Sequence, residues 1–137
     1  MALRRRFAFW LALFCLAALW PFPAVRGEEA SVRRERALLI GVDEEGGLVA
    51  PLANNAAFGL PKYESAAAVG ASGNPADAEN MGRTIGGYLA DYGFTVDFAP
   101  VADVYTNPAN TVIGSRAFSA DANTAAAMAG ACARGLA

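Results

Sequence analysis

The sequence predicts an α/β fold made of two successive βα units of a parallel sheet or barrel. Three stretches carry that reading. Residues 37–42, Ala-Leu-Leu-Ile-Gly-Val, form a continuous apolar run bounded by charge, the pattern of a strand buried on both faces. Residues 74–93 open on Asn-Pro and then repeat apolar residues at helical spacing. Residues 94–104 alternate β-branched and aromatic residues with Asp97 and Asp103 over a length suited to one buried strand, and a long polar loop follows.

The first strand runs into Asp43-Glu44-Glu45-Gly46-Gly47. Three consecutive carboxylates repel one another and are costly to bury unpaired, so they are solvated, paired, or occupied by a ligand. Spacing alone leaves a solvated turn and a ligand site both open. The following glycines permit backbone conformations closed to other residues. Residues 48–71 show no clean periodicity, with Asn54-Asn55, Gly59 and Leu60-Pro61 arguing for an irregular loop and 65–69 for a short helical turn. A connection this long is uncommon in a compact domain unless it serves a site.

In the next segment Asn74 suits the N-cap, Pro75 the first helical position and Asp77 the capping-box position. Ala78, Met81, Ile85, Tyr88, Leu89 and Tyr92 make one apolar stripe, and Gly93 closes the helix as its C-cap. Gly82, Gly86 and Gly87 each lower helix propensity by up to roughly 1 kcal/mol relative to Ala, so packing must hold the helix. They are expected to let it approach a sheet closely. After the second strand, Asn107-Pro108 initiates a turn, Gly114 frees the backbone, and Arg116 is the one cation of the loop. A carboxylate near a strand's C-terminal end, followed by a polar loop with an arginine, is how α/β proteins build ligand sites. Asp121 or Ser119 then caps a last helix from 122 to about 134, with Met128, Ala129, Cys132 and Leu136 as its apolar side. Cys132 reads as a small buried apolar residue, since no basic partner stands near it to make a reactive thiol.

The front of the chain has a different character. Arg4-Arg5-Arg6, an uncharged run over 7–23 and small residues before Glu28-Glu29 make a secretory signal peptide over 1–27, followed by a charged linker over 28–36. The apolar core of that segment, 7–20, is shorter than the ~20 residues of a spanning helix, although an uncleaved anchor is the alternative. The remaining domain is then exported, periplasmic or extracellular, with no stable membrane insertion after cleavage. The full chain of 137 residues has a net charge of −2 with its arginines concentrated before position 37, which leaves no basic face for nucleic acid. It has no histidine, so Ser-His-Asp and Cys-His nucleophile systems, imidazole bases and His-containing metal sites are excluded together. Neither a cofactor nor a metal is expected.

Gly-Val-Asp-Glu-Glu-Gly-Gly at 41–47, Gly-Asn-Pro-Ala-Asp-Ala-Glu-Asn-Met-Gly-Arg at 73–83, Val-Asp-Phe-Ala-Pro-Val-Ala-Asp-Val at 96–104 and Asn-Pro-Ala-Asn-Thr-Val-Ile-Gly-Ser-Arg-Ala-Phe at 107–118 resemble the N-terminal barrel domain of glycoside hydrolase family 3. The nearest branch is the β-N-acetylhexosaminidases, and the resemblance spans about residues 37–137 in unbroken order. It implies a partial (β/α)8 barrel of about two βα units, where a whole barrel needs about 200 residues or more. It also implies a saccharide partner with a terminal N-acetylglucosamine or glucose. Asp43 matches the carboxylate of the family's Asp-x-Glu-Gly-Gly motif, which hydrogen-bonds hydroxyls of the non-reducing sugar. Arg116 matches the arginine of the Ile-Gly-x-Arg-x-Phe motif, which contacts the same sugar; an exposed loop charge is its alternative. Asp103 joins them as a substrate-side candidate through ordering the loop that follows it.

Departures from the family pattern qualify this. Leu48 stands where the motif usually has an arginine, and the first barrel strand and helix do not precede residue 37. The Lys-His segment, the Asp-His acid/base loop and the later nucleophilic Asp of this retaining family are not in the sequence. Retaining hydrolysis needs two catalytic groups across the glycosidic bond, so no catalytic residue is assigned and the chain by itself is expected to be inactive. A non-catalytic exported sugar-binding or interaction module, and complementation of another chain that supplies the missing barrel, are the alternatives.

Overall fold

A computed structural model describes residues 38–137. The leader expected over 1–27, the linker over 28–36 and Ala37 lie outside the described residues. The elements run β1 (Gly41–Val42), α1 (Ala66–Gly70), α2 (Pro75–Asp91), β2 (Val96–Asp97), a 3-10 turn (Gly114–Arg116) and α3 (Ala122–Leu136). β1 and β2 pair in parallel, Gly41 opposite Val96 and Val42 opposite Asp97. A parallel pair requires a crossover, and α2 lies within it. With α3 following β2, the order of the two βα units is the expected one.

Both strands are far shorter than the expected 37–42 and 94–104. At one end Thr95 ties the chains together: its hydroxyl donates to the Leu38 carbonyl (3.2 Å) and accepts from the Ile40 N–H (2.9 Å). At the other end the Phe98 N–H still donates to the Val42 carbonyl (2.8 Å). Two residues later Pro100 has no N–H with which to continue a ladder. The burial expected for 37–42 is also corrected, because Leu38 and Leu39 are 72% and 75% exposed and Ile40 41%. An apolar run is buried on both faces only where neighbours cover it, and the described sheet has just two strands.

The helices form as their sequence signals dictate. Asn74 accepts the Ala76 N–H on its side chain (3.2 Å), with Pro75 in the first turn. The reciprocal half of a capping box is missing, since the Asn74 N–H donates to the Ser72 hydroxyl (3.2 Å). At the far end Tyr92 is the cap and Gly93, at φ 81°, the residue beyond it. Gly93 and Phe94 donate back to the carbonyls of Ala90 and Leu89 (both 3.0 Å), a Schellman closure that satisfies two terminal carbonyls. Of the predicted stripe, Ala78, Met81, Ile85, Tyr88 and Leu89 are buried, whereas Tyr92 is half-exposed and packs edge-on against Phe58. In α3 the Asp121 carboxylate accepts the Thr124 N–H and hydroxyl (both 2.8 Å), and those bonds hold its pKa below the usual carboxylate value.

The core lies between α2 and α3, where Met81, Ile85 and Met128 are almost wholly removed from water and Phe118 and Leu52 close the sides. The glycines of α2 serve this contact, which corrects the expectation that they face a sheet. A Cβ at Gly82 would run into the Cys132 backbone, one at Gly86 would lie 2.7 Å from the Leu136 carbonyl, and Gly135 returns the approach against Glu79. Gly87 faces open space and takes no part. With Ala78, Ala129 and Ala131 also in this core, small side chains let the helices approach closely, and Met81 and Met128 pack beside them.

Candidate functional site

The site grows from the end of β1, where three carboxylates in a row meet three different fates. Asp43 is exposed. Glu44 is fully buried, and its carboxylate accepts the Leu52 N–H on one oxygen and the Ala53 N–H and Tyr88 hydroxyl on the other (each 2.9 Å). Three donors on one buried carboxylate fix the 50–53 segment against α2 and meet the requirement that a buried charge be bonded. Burial, and then the bond to Glu44, push the Tyr88 phenol above its ordinary value. Glu45 reaches across the site to Arg116: Nε donates to Oε2 (2.8 Å) and Nη2 to Oε1 (2.6 Å), a bidentate pair. The Glu45 side chain is 6% exposed and that of Arg116 24%.

Local backbone makes these divergent paths possible. Gly46 and Gly47 both hold positive φ, 77° and 75°, a region that residues with a Cβ adopt only under strain. A Cβ on Gly47 would also lie 2.8 Å from the Ser65 Cα. The tight turn they make is closed by the Glu45 N–H donating to the Val49 carbonyl (2.8 Å) and by the Asn54 amide donating to Gly47 O (2.8 Å). Across from it, Asn110 accepts the N–H groups of Val112 and Ile113 (both 3.2 Å), and the 3-10 turn follows and delivers Arg116.

Asp97, on β2, lies beneath this turn. One oxygen accepts the Glu44 N–H (2.9 Å), while the other is buried with no hydrogen-bond partner among the described residues. Burial, opposed by that one bond and reinforced by the charges of Glu44, Asp43 and Glu45, pushes its pKa from 3.8 up to about 6. Cys132 is a buried free thiol pushed up to about 11 by burial and by Asp97, so it is inert at neutral pH.

A cleft of about 630 Å³ opens beside Asp43, with Leu48, Val49, Pro51 and Asn54 among its walls. Arg116 and Asp103 do not line it. Arg116 is nevertheless close enough to both Asp43 and Asp103 for each to raise its pKa, after the larger effect of its bond to Glu45. The three residues singled out in the sequence therefore share one electrostatic neighbourhood. Asp103 does not order its loop as expected, because its exposed carboxylate accepts no hydrogen bond among the described residues. That order comes from Asn110, from Asn107 accepting the Ala109 N–H (3.0 Å), and from the Tyr105 hydroxyl donating to Pro108 O (3.0 Å).

Glu44, Glu45, Tyr88 and Asp97 were not assigned roles from the sequence. For Glu45 a partial signal existed: pairing is one of the ways to accommodate adjacent carboxylates, and Arg116 is the one cation of the loop after β2. Chemically the cluster offers carboxylates that accept from hydroxyls and a planar cation that donates to oxygens. Among the described residues no group of His, Cys, Asp or Glu side chains is placed to hold a metal ion, and no helix is long and apolar enough to cross a membrane.

Residues 23–137 match the family model of the glycosyl hydrolase family 3 N terminal domain. The chain belongs to that family. It is 39% identical over 99 residues to the beta-hexosaminidase LpqI of Mycobacterium tuberculosis, covering 72% of this chain and 25% of that protein. Against the beta-hexosaminidase of Pseudomonas aeruginosa it is 35% identical over 100 residues, 72% of this chain and 29% of the other. Among solved structures it is similar to a family 3 glycosyl hydrolase from Mycobacterium smegmatis (TM-score 0.63, 39% identity, 72% of this chain and 30% of that one). It is also similar to a family 3 beta-N-acetylglucosaminidase from Paenibacillus (TM-score 0.67, 35% identity, 72% and 18%). The chain thus spans between a quarter and a third of the length of the beta-hexosaminidases just named. The described residues are α/β with one parallel pair of strands, and they match a part of those neighbours, whose fold is TIM-barrel-like.

Proposed function

We propose that residues 38–137 supply part of the sugar-binding subsite of an exported β-N-acetylhexosaminidase-type glycosidase, as about two βα units of its barrel. Asp43 accepts hydroxyl protons of a terminal N-acetylglucosamine or glucose, Arg116 donates to the sugar's oxygens, and Asp103 borders the same ligand. The observation that carries this is the placement of Arg116. A guanidinium has five N–H donors; three are taken by Glu45 and by the Val112 carbonyl (3.2 Å), which leaves two for a ligand. Vicinal hydroxyls are well matched by such a pair of donors opposite an ionised carboxylate. The catalytic pair of the retaining mechanism has no counterpart among these residues, so what they contribute is binding rather than bond cleavage.

Isothermal calorimetry with N-acetylglucosamine tests the reading, beside a chromogenic N-acetylglucosaminide. Binding that is lost in Asp43→Ala, with no turnover above buffer, is expected. Reproducible sugar release abolished by Asp43→Ala would overturn the claim of inactivity, and no heat at millimolar sugar would overturn the subsite.

A further inference from the structure

We propose that Glu45 is the positioning and specificity residue of this site: it fixes the plane of the Arg116 guanidinium and cancels its charge, which restricts the site to uncharged saccharides. This rests on the sugar-binding reading above. The two residues are 71 positions apart and meet through two short parallel bonds, 2.8 and 2.6 Å, with the carboxylate almost fully removed from water. A bidentate pair of this kind fixes orientation as well as distance, because both partners are planar. Rotation of the guanidinium would break at least one of the bonds to a carboxylate that is almost fully removed from water. The two free N–H groups therefore point in one set direction before any ligand arrives, which lowers the ordering cost of binding.

Charge completes the argument. Glu45 is bonded directly to Arg116, and the exposed carboxylates of Asp43 and Asp103 also act on its charge. Glu45 takes up that cation directly, which leaves Asp43 and Asp103, the two exposed carboxylates of the proposed subsite, negative. An anionic sugar entering here meets two carboxylates and no unneutralised cation, and like charges brought together are a strong means of rejection. A neutral sugar meets the same two carboxylates as hydrogen-bond acceptors. Glu45 touches neither ligand, so it acts wholly through Arg116.

The test compares N-acetylglucosamine with glucuronate by calorimetry, on the native chain and on Glu45→Gln, with circular dichroism as the check on folding. The native chain should prefer the neutral sugar. In Glu45→Gln one hydrogen bond to the guanidinium survives but the charge is released, and the preference should shrink by roughly tenfold, with glucuronate gaining while N-acetylglucosamine weakens. A merely structural role would weaken both sugars together and leave their ratio unchanged, and that result overturns the proposal. Native chain that binds glucuronate as tightly as N-acetylglucosamine overturns it without any variant. Native chain that binds neither sugar overturns the sugar-binding reading, and this assignment with it.

Discussion

Replacing Asp97 by Asn should make the protein more stable at neutral pH and remove part of its pH dependence. The side chain is half-buried, one oxygen has no partner, and the carboxylates of Glu44, Asp43 and Glu45 lie around it. Its pKa rises from 3.8 to about 6 on folding, so between those values the folded chain holds a proton that the unfolded chain has lost. The unfolded state then binds fewer protons, and stability falls as pH rises through this window. Each tenfold change in proton affinity is worth about 1.4 kcal/mol, so a roughly hundredfold change sets a ceiling near 3 kcal/mol. Solvent screening at a half-exposed carboxylate reduces this to about 1–2 kcal/mol. Asn keeps an acceptor for the Glu44 N–H and cannot ionise. Urea unfolding followed by circular dichroism at pH 4.5 and pH 7.5 measures the difference. The native chain should lose that amount relative to the variant between the two conditions. Parallel pH profiles for the two proteins would refute the reasoning.

Two further substitutions probe the packing that holds the site. Gly82→Ala should lower the thermal midpoint by several degrees, because overpacking at a helix contact costs roughly 1–3 kcal/mol and the new methyl meets the Cys132 backbone. Gly87→Ala, five residues on in the same helix and facing open space, should raise it, by up to about 1 kcal/mol in stability; equal responses from the two would contradict the packing described. Tyr88→Phe should cost about 1–2 kcal/mol by taking one donor from the buried Glu44 carboxylate, measured as a lower urea midpoint with an unchanged slope.

Much of the local structure was legible because its causes are local. Asn74-Pro75, the stripe from Ala78 to Leu89 and Asp121 ahead of an alanine-rich segment each specify a helix within a few residues, and α2 and α3 form where those signals stand. Strand extent was not legible in the same way. Hydrophobicity at 37–42 and alternation at 94–104 show that these segments can enter a sheet, but the length of a ladder depends on partners and on donors such as the one Pro100 lacks. The direction in which the α2 glycines face was likewise undecidable from composition, since a glycine permits close approach without saying to what.

By itself, then, the sequence determined the order of two βα units, the N-caps and apolar stripes of the helices, and the motifs that place the chain in its family. Tertiary structure alone decided what becomes of Asp43-Glu44-Glu45: one carboxylate exposed beside a cleft, one buried under three donors, and one locked to Arg116 from 71 positions away. The physical reason is that a helix cap is settled by neighbours in the chain. The state of a charge is settled by whichever donors and dielectric the fold brings to it, and three adjacent, chemically similar carboxylates can be told apart only by that surrounding.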